Sequence, residues 1–428
     1  PFSESFTNVM PAWLQLKYAH ANGLLSDDIF AVANILKVMS LHRVSDIYGP
    51  LPVPHFGETE NPYNSQEECY MHFFETLDSA IAVLKDVVEN NPDAKPLEEV
   101  DALYHGDYSK WLKLANSVKL RLAMRICYVK PDLAKQYAME AVRDGVMETA
   151  DDSALFQSWG SITIINPLEK IWNGYSDTRM GASMDSYLNG YNDPRLPVYF
   201  QPVTEGDNKG EYRGVANGMP NPQQDDYKAM SAPNVQEKST DSPLRWMMAS
   251  EVAFLRAEGA MRGWTAEMGG TAEEFYNKGI ELSFLENGLS ADAAARYAAD
   301  ETSKPTDFTD VSAANTKYNI SALGKITIKW NAGASEEEQL ERIITQKWIA
   351  MFPNGTEAWS EFRRTGYPLI FPVRSNYPTS GVDTNKQIRR MVFPQSEYSN
   401  NGAAVQEAVK LLGGPDNGGT KLWWDKKN

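Results

Sequence analysis

From Tyr70 onward the apolar residues fall at Tyr70, Phe73, Phe74, Leu77, Ile81, Leu84, Val87 and Val88, a spacing of three and four that lines one helix face and stops at Asn91-Pro92. A second periodic stretch uses Trp111, Leu114, Ala115, Val118, Leu122 and Ile126, breaks at Lys130-Pro131, and gives way to a helix from Leu133 that closes at Gly145. Leu244–Gly263 and Thr271–Leu285 read as a helical pair around the turn Gly269-Gly270. Ser335, with Glu338 three residues on, opens another helix in a capping-box pattern. The pattern predicts an all-α fold of successive helix pairs, a degenerate tetratricopeptide-like stack with no strict 34-residue period.

The helical blocks are separated by long tracts rich in Gly, Pro, Asn and Asp, chiefly Gln201–Pro243 and Thr365–Asn385. Such lengths exceed ordinary connections and point to function or disorder. Strand character is limited to Ser321–Trp330, where Ile326, Ile328 and Trp330 alternate with Thr327 and Lys329, enough for a small β-hairpin at most. The expected organisation is one domain over residues 1–428, with helical pairs in 1–200 and a loop-rich half with further pairs in 201–428. Around Pro11-Ala-Trp-Leu-Gln-Leu16 the chain already reads as helix with no cap or leader before it, so further residues are expected upstream.

Composition narrows the function. The formal charge is -16, from 41 basic and 57 acidic residues, with no basic run, so a nucleic acid would be repelled. No apolar run reaches the roughly 20 residues of a membrane-spanning helix. Cys69 and Cys127 both lie in helical stretches and read as buried thiols, not a disulfide framework. The five histidines, His20, His42, His55, His72 and His105, show no paired ligand spacing, so no metal and no cofactor is expected. Phosphate loops and nucleophile elbows are absent from the sequence.

Two kinds of site residue stand out. Glu251 and Glu258, seven residues apart on one helix face, are the acid pair a helical glycosidase would need, although arginines such as Arg256 and Arg262 make ion pairing the plainer reading. Asp193, before Pro194, reads as a turn former. The other kind is aromatic residues in loops: Tyr212, Tyr227, Trp330 and Tyr377 can cover the C–H face of a sugar while neighbouring Asn, Asp and Arg bond its hydroxyls. Trp111, Trp348, Trp359, Trp423 and Trp424 are expected in the core.

Several segments in order along the chain carry a resemblance. They are Val44-Ser-Asp-Ile-Tyr-Gly-Pro-Leu-Pro52, Lys113-Leu-Ala-Asn-Ser-Val-Lys-Leu-Arg-Leu-Ala-Met-Arg125, Tyr191-Asn-Asp-Pro-Arg-Leu196 and Tyr212–Gly218. Met248–Trp264, with Gly259 in place of an alanine, Arg342–Pro368 and Leu422-Trp-Trp-Asp425 complete the series. The chain resembles the SusD/RagB-like lipoproteins, in particular their second, starch-binding-associated branch. The resemblance implies a non-catalytic glycan-binding protein on the cell surface. It would be held at the outer membrane by an N-terminal lipidated cysteine outside this sequence, and would pass its ligand to a SusC-like TonB-dependent transporter. A peptide ligand, a pure transporter-docking scaffold and the Glu251/Glu258 hydrolase are the alternatives.

Overall fold

The computed structural model describes residues 1–220, 222–234 and 242–427. A π-helical turn, Ser5–Val9, leads into α1 (Met10–Ala21), followed by α2 (Asp27–Tyr48), α3 (Gln66–Asn90), α4 (Tyr108–Arg125) and α5 (Pro131–Arg143). After β1 (Ala154–Phe156) come α6 (Ala182–Gly190), β2 (Leu244–Met247), α7 (Ala249–Gly259), α8 (Ala272–Leu285) and α9 (Ala291–Ala298). The C-terminal third holds α10 (Glu336–Ala350), α11 (Gly355–Thr365) and α12 (Gln395–Leu412). Neighbouring helices pack in succession, α2 on α3, α3 on α4, α4 on α5, and α7 on α8, so the mostly helical, repeat-like architecture read from the periodicity holds.

The periodic stretches fold where their apolar faces place them. Ser65 and Glu68 close a reciprocal capping box at the start of α3, whose Phe73, Phe74, Leu77 and Leu84 are completely buried. Each such side chain contributes roughly 1.5–3 kcal/mol by leaving water. Thr271 and Glu274 form the same box on α8. Ser335 caps α10 by accepting from the Glu338 amide. On α8, Gly279 lies under the Phe254 ring, where a Cβ would come within 2.7 Å, so the α7–α8 crossing requires glycine.

Two sequence expectations change. Leu244–Met247 is a strand, not the first turn of a helix; it pairs antiparallel with Ala154–Phe156 in a two-stranded sheet. The expected hairpin at Ser321–Trp330 does not form. Its alternation is real, with Ile326, Ile328 and Trp330 all buried, but side chains satisfy its backbone in place of a partner strand. The Tyr191 hydroxyl donates to the Ile326 carbonyl at 3.2 Å and the Tyr276 hydroxyl to that of Ile328 at 2.5 Å.

A first hydrophobic core runs from Phe2 to Trp424 and so joins residues on both sides of position 200; a second gathers α6, α7, α8, α9 and α10. Both cysteines are buried free thiols. Trp111 and Trp424 are fully within the core, while Trp348, Trp359 and Trp423 are half-buried at its margin. The loop Gln201–Pro243 is tied down by bridges from Val215 to Gly181 and from Pro233 to Phe200, and its residues 221 and 235–241 lie outside the described residues.

Candidate functional site

The acid pair proves to be sealed. Glu251 is 2% exposed and Glu258 1%. Arg121 on α4 donates to both oxygens of Glu251, at 2.8 and 2.7 Å, and Arg364 does the same to Glu258, at 2.7 and 2.6 Å, with Arg262 adding a third cation. Burial pushes the Glu258 carboxyl up, but Arg364 and Arg262 outweigh it and hold the group at about 2. A carboxylate so held cannot protonate a leaving group at neutral pH. The glycosidase assignment is therefore corrected: these residues knit α7 to α4 and α11.

They belong to a larger buried network. Arg125 bonds Glu357 and Glu361 on α11 and lies 3.5 Å from Asp46 on α2, while Lys347 on α10 sits 3.2 Å from Glu361 and 3.8 Å from Glu251. Asp46 also accepts from Tyr70 and from the Trp424 indole. His42, Asp46 and Glu357 come together as a metal-like cluster. Arg125 bonds Glu357 and lies 3.5 Å from Asp46, and burial, with Arg121 nearby, pushes His42 down to about 3, so the cluster sits within the charge network. Asp193 is likewise structural: it pairs with Arg195 at 2.7 Å with both residues buried.

The aromatic candidates do not share one surface. Trp330 is 8% exposed, its indole lies 5.3 Å from the Tyr276 ring, and it lines two clefts that meet at Lys329 and Trp330. Tyr212 packs against the second core. Tyr227 is half-buried, its hydroxyl 3.0 Å from the Met219 sulfur, and lines a cleft of about 700 Å³ with Arg179, Asn217 and Gly218. Tyr377 is 84% exposed. The loops of these last two residues are joined, since the Arg374 and Ser375 amides donate to the Asn217 and Gly218 carbonyls.

A different cleft, of about 470 Å³, combines aromatic faces with open polar atoms. One wall is Trp172, carried on the π-helical turn Lys170–Gly174 that Pro167 and the Asn166 cap start. π-Turns of this kind recur at functional sites. Trp172 lies parallel to Phe352, with centroids 5.9 Å apart and planes within 10°. Phe352 is fixed by the Pro-Asn-Gly break between α10 and α11 and packs on Tyr199 and Phe200. On β2, Trp246 stacks on Phe156 at 4.6 Å, and Arg245 donates through Nη2 to the Glu286 carbonyl.

What sets this cleft apart is its unfilled hydrogen-bonding capacity. Arg245 Nη1 and Asn354 Oδ1 are both buried and have no partner among the described residues. Asn287 turns its amide to Tyr199 and Ser283, and Arg43 and Thr356 complete the rim. One free donor and one free acceptor beside stacked rings match a ligand with apolar faces and polar edges. The sequence offered no periodic signal for Trp172 or Phe352, which come from irregular segments, and Trp246 lay in a stretch read as helix that folds as β2.

The chain matches the model of SusD-like Susd and RagB outer membrane lipoproteins over residues 1–425. It belongs to the SusD/RagB family. No curated protein matches it. Among solved structures, a chitin-binding SusD homologue from Flavobacterium johnsoniae is 40% identical, with a TM-score of 0.92 over 100% of this chain and 86% of that one. A SusD homologue from Bacteroides vulgatus is 34% identical, with a TM-score of 0.92 over 100% and 85% of the two chains. A SusD-like protein from Bacteroides thetaiotaomicron is 40% identical, with a TM-score of 0.89 over 98% and 85%. In this SusD-like chain the sequence motifs mark the charge network: Arg121 and Arg125, Glu251 and Glu258, Arg363 and Arg364, and Trp424 and Asp425 are all buried, so family likeness reports the scaffold. No described helix is long and apolar enough to cross a membrane.

Proposed function

We propose that this SusD-like chain captures a glycan at the cell surface and hands it, uncleaved, to a SusC-like TonB-dependent transporter. The observation that carries the reading is the Trp172–Phe352 cleft, with Arg245 Nη1 and Asn354 Oδ1 open inside it. A sugar ring lying against the indole satisfies both polar atoms, which otherwise stay desolvated at a cost of roughly 1–3 kcal/mol each. The chitin-binding description of a 40% identical homologue makes chito-oligosaccharides the first ligands to test. An acetamido group, with one carbonyl acceptor and one N–H donor, complements the two open atoms. Tyr227 and Tyr377, on joined loops, are proposed as outer contacts for a longer chain; Tyr212 and Trp330 act through packing.

The test is calorimetric titration with chito-oligosaccharides, with reducing-sugar release assayed in the same samples. Binding without release is expected. Trp172→Ala is expected to weaken binding about tenfold to a hundredfold, the effect of losing one stacking platform. Sugar release that persists in purified protein, or affinity unchanged in both Trp172→Ala and Asn354→Ala, overturns the reading.

A further inference from the structure

A third cleft, of about 700 Å³, lies between α10 and the extended segment 325–331. Its wall on α10 is acidic, and two of its three glutamates are accounted for. Glu337 accepts from Tyr367 at 3.1 Å and from Lys427 at 2.7 Å; Glu338 pairs with Arg342 at 3.2 Å. Glu341, one turn on from Glu337, differs: its Oε1 is buried with no partner among the described residues. Across the cleft, Lys329 is paired with Glu301, whereas Lys304 and Lys325 have no carboxylate within ion-pair distance among the described residues. In a chain of net charge -16, the cleft thus gathers two ammonium groups free of ion pairs and one unpaired carboxyl.

We propose that this cleft binds a carboxylate-bearing saccharide, with its acid group between Lys304 and Lys325 and the Glu341 carboxyl as the polar contact on the opposite wall. The site is distinct from the aromatic cleft and goes beyond neutral-glycan capture. It also carries its own pH dependence. Burial raises the Glu341 carboxyl to about 7, with Glu338 adding to the rise and Arg342 opposing it. The other groups around it, Tyr187 and Tyr191 from α6 and Tyr367 after α11, are pushed upward and stay neutral between pH 6 and 8. At pH 6 Glu341 is largely the acid and donates to the ligand; at pH 8 it is ionised and repels a carboxylate. Affinity for the acidic sugar therefore falls as pH rises through 7.

The experiment is calorimetry with trigalacturonate and neutral galactotriose at pH 6 and pH 8, at fixed salt. Trigalacturonate is expected to bind at least tenfold more tightly at pH 6 than galactotriose, and to weaken about tenfold at pH 8. Lys304→Ala with Lys325→Ala is expected to abolish the preference. Glu341→Gln, whose amide still donates, is expected to bind at both pH values alike, and Trp172→Ala to leave trigalacturonate binding unchanged. All four side chains are at least partly exposed, and thermal melts confirm that each variant folds. No trigalacturonate binding at pH 6, equal affinity for the neutral trimer, loss of trigalacturonate binding in Trp172→Ala, or a pH dependence that survives Glu341→Gln overturns the proposal.

Discussion

Glu258→Gln is the sharpest test of the claim that the acid pair is structural. In the folded chain the carboxyl titrates at about 2 against an ordinary 4.5. At about 1.4 kcal/mol per tenfold this corresponds to roughly 3 kcal/mol of stability at pH 7. Breaking a buried ion pair from one side costs about 3–5 kcal/mol, which agrees, because Arg364 and Arg262 are left with a neutral amide. With roughly 2.1 cal/mol/K of unfolding entropy per residue, the 428 residues give about 0.9 kcal/mol/K and a fall in Tm of about 3–4 °C. The sign with pH is fixed as well. A depressed carboxyl contributes fully above 4.5 and loses its contribution as pH falls toward 2, so the gap between wild type and variant narrows to roughly 2 kcal/mol at pH 3.5. Urea unfolding followed by tryptophan fluorescence at pH 7 and pH 3.5 measures both. A difference below about 1 kcal/mol at pH 7, or one that widens in acid, refutes the reasoning.

Further outcomes are expected elsewhere. Lys37 is 3% exposed, lies 4.0 Å over the Trp13 ring and contacts His72, and burial, with Lys17 nearby, lowers it to about 7. Its charging opposes folding fully below about pH 7 and is relieved as pH rises toward 10.5, so Lys37→Met is expected to stabilise the chain by about 1–2 kcal/mol at pH 6, read by urea midpoint, and by nothing at pH 10. Trp330→Ala is expected to cost about 3–5 kcal/mol by opening a cavity against Tyr276, whereas Tyr377→Ala, on an exposed loop, stays within about 0.5 kcal/mol; thermal melts separate the two. Trp172→Ala is expected to keep the wild-type Tm within about 1 °C while losing chito-oligosaccharide affinity, since half-buried Trp172 stands on a loop outside both main cores.

Periodicity made α3, α4, α5 and α8 legible, because a helix buries a stripe that repeats along the chain. It failed at Leu244–Met247, where four residues are too few to distinguish a strand from a helix turn. It misled at Ser321–Trp330, where the alternation reflects burial but the hydrogen bonds come from Tyr191 and Tyr276, distant in sequence. The site was harder. Nothing local in the sequence reveals that Trp330 packs against Tyr276. Trp172, Arg245 and Asn354 were not singled out because their meeting depends on how a π-turn, a short strand and an interhelical break pack. The motifs that identified the family are strongest where arginines and glutamates must pair in the interior.

The Trp424 indole donates to Asp46 across 378 residues of chain, and Arg389 binds Asp425 while donating also to the carbonyls of Arg363 on α11 and of Lys386. A polypeptide that emerges N-terminus first therefore carries Arg125 for 232 residues before Glu357 is made, and Asp46 for 378 before Trp424. The Trp424–Asp46 contact is the latch. High separation between partners slows folding and lengthens the interval in which the chain is unfolded and open to handling by other machinery. For a protein of a family described as outer membrane lipoproteins, a fold that cannot close early is well matched to a chain that must first be moved.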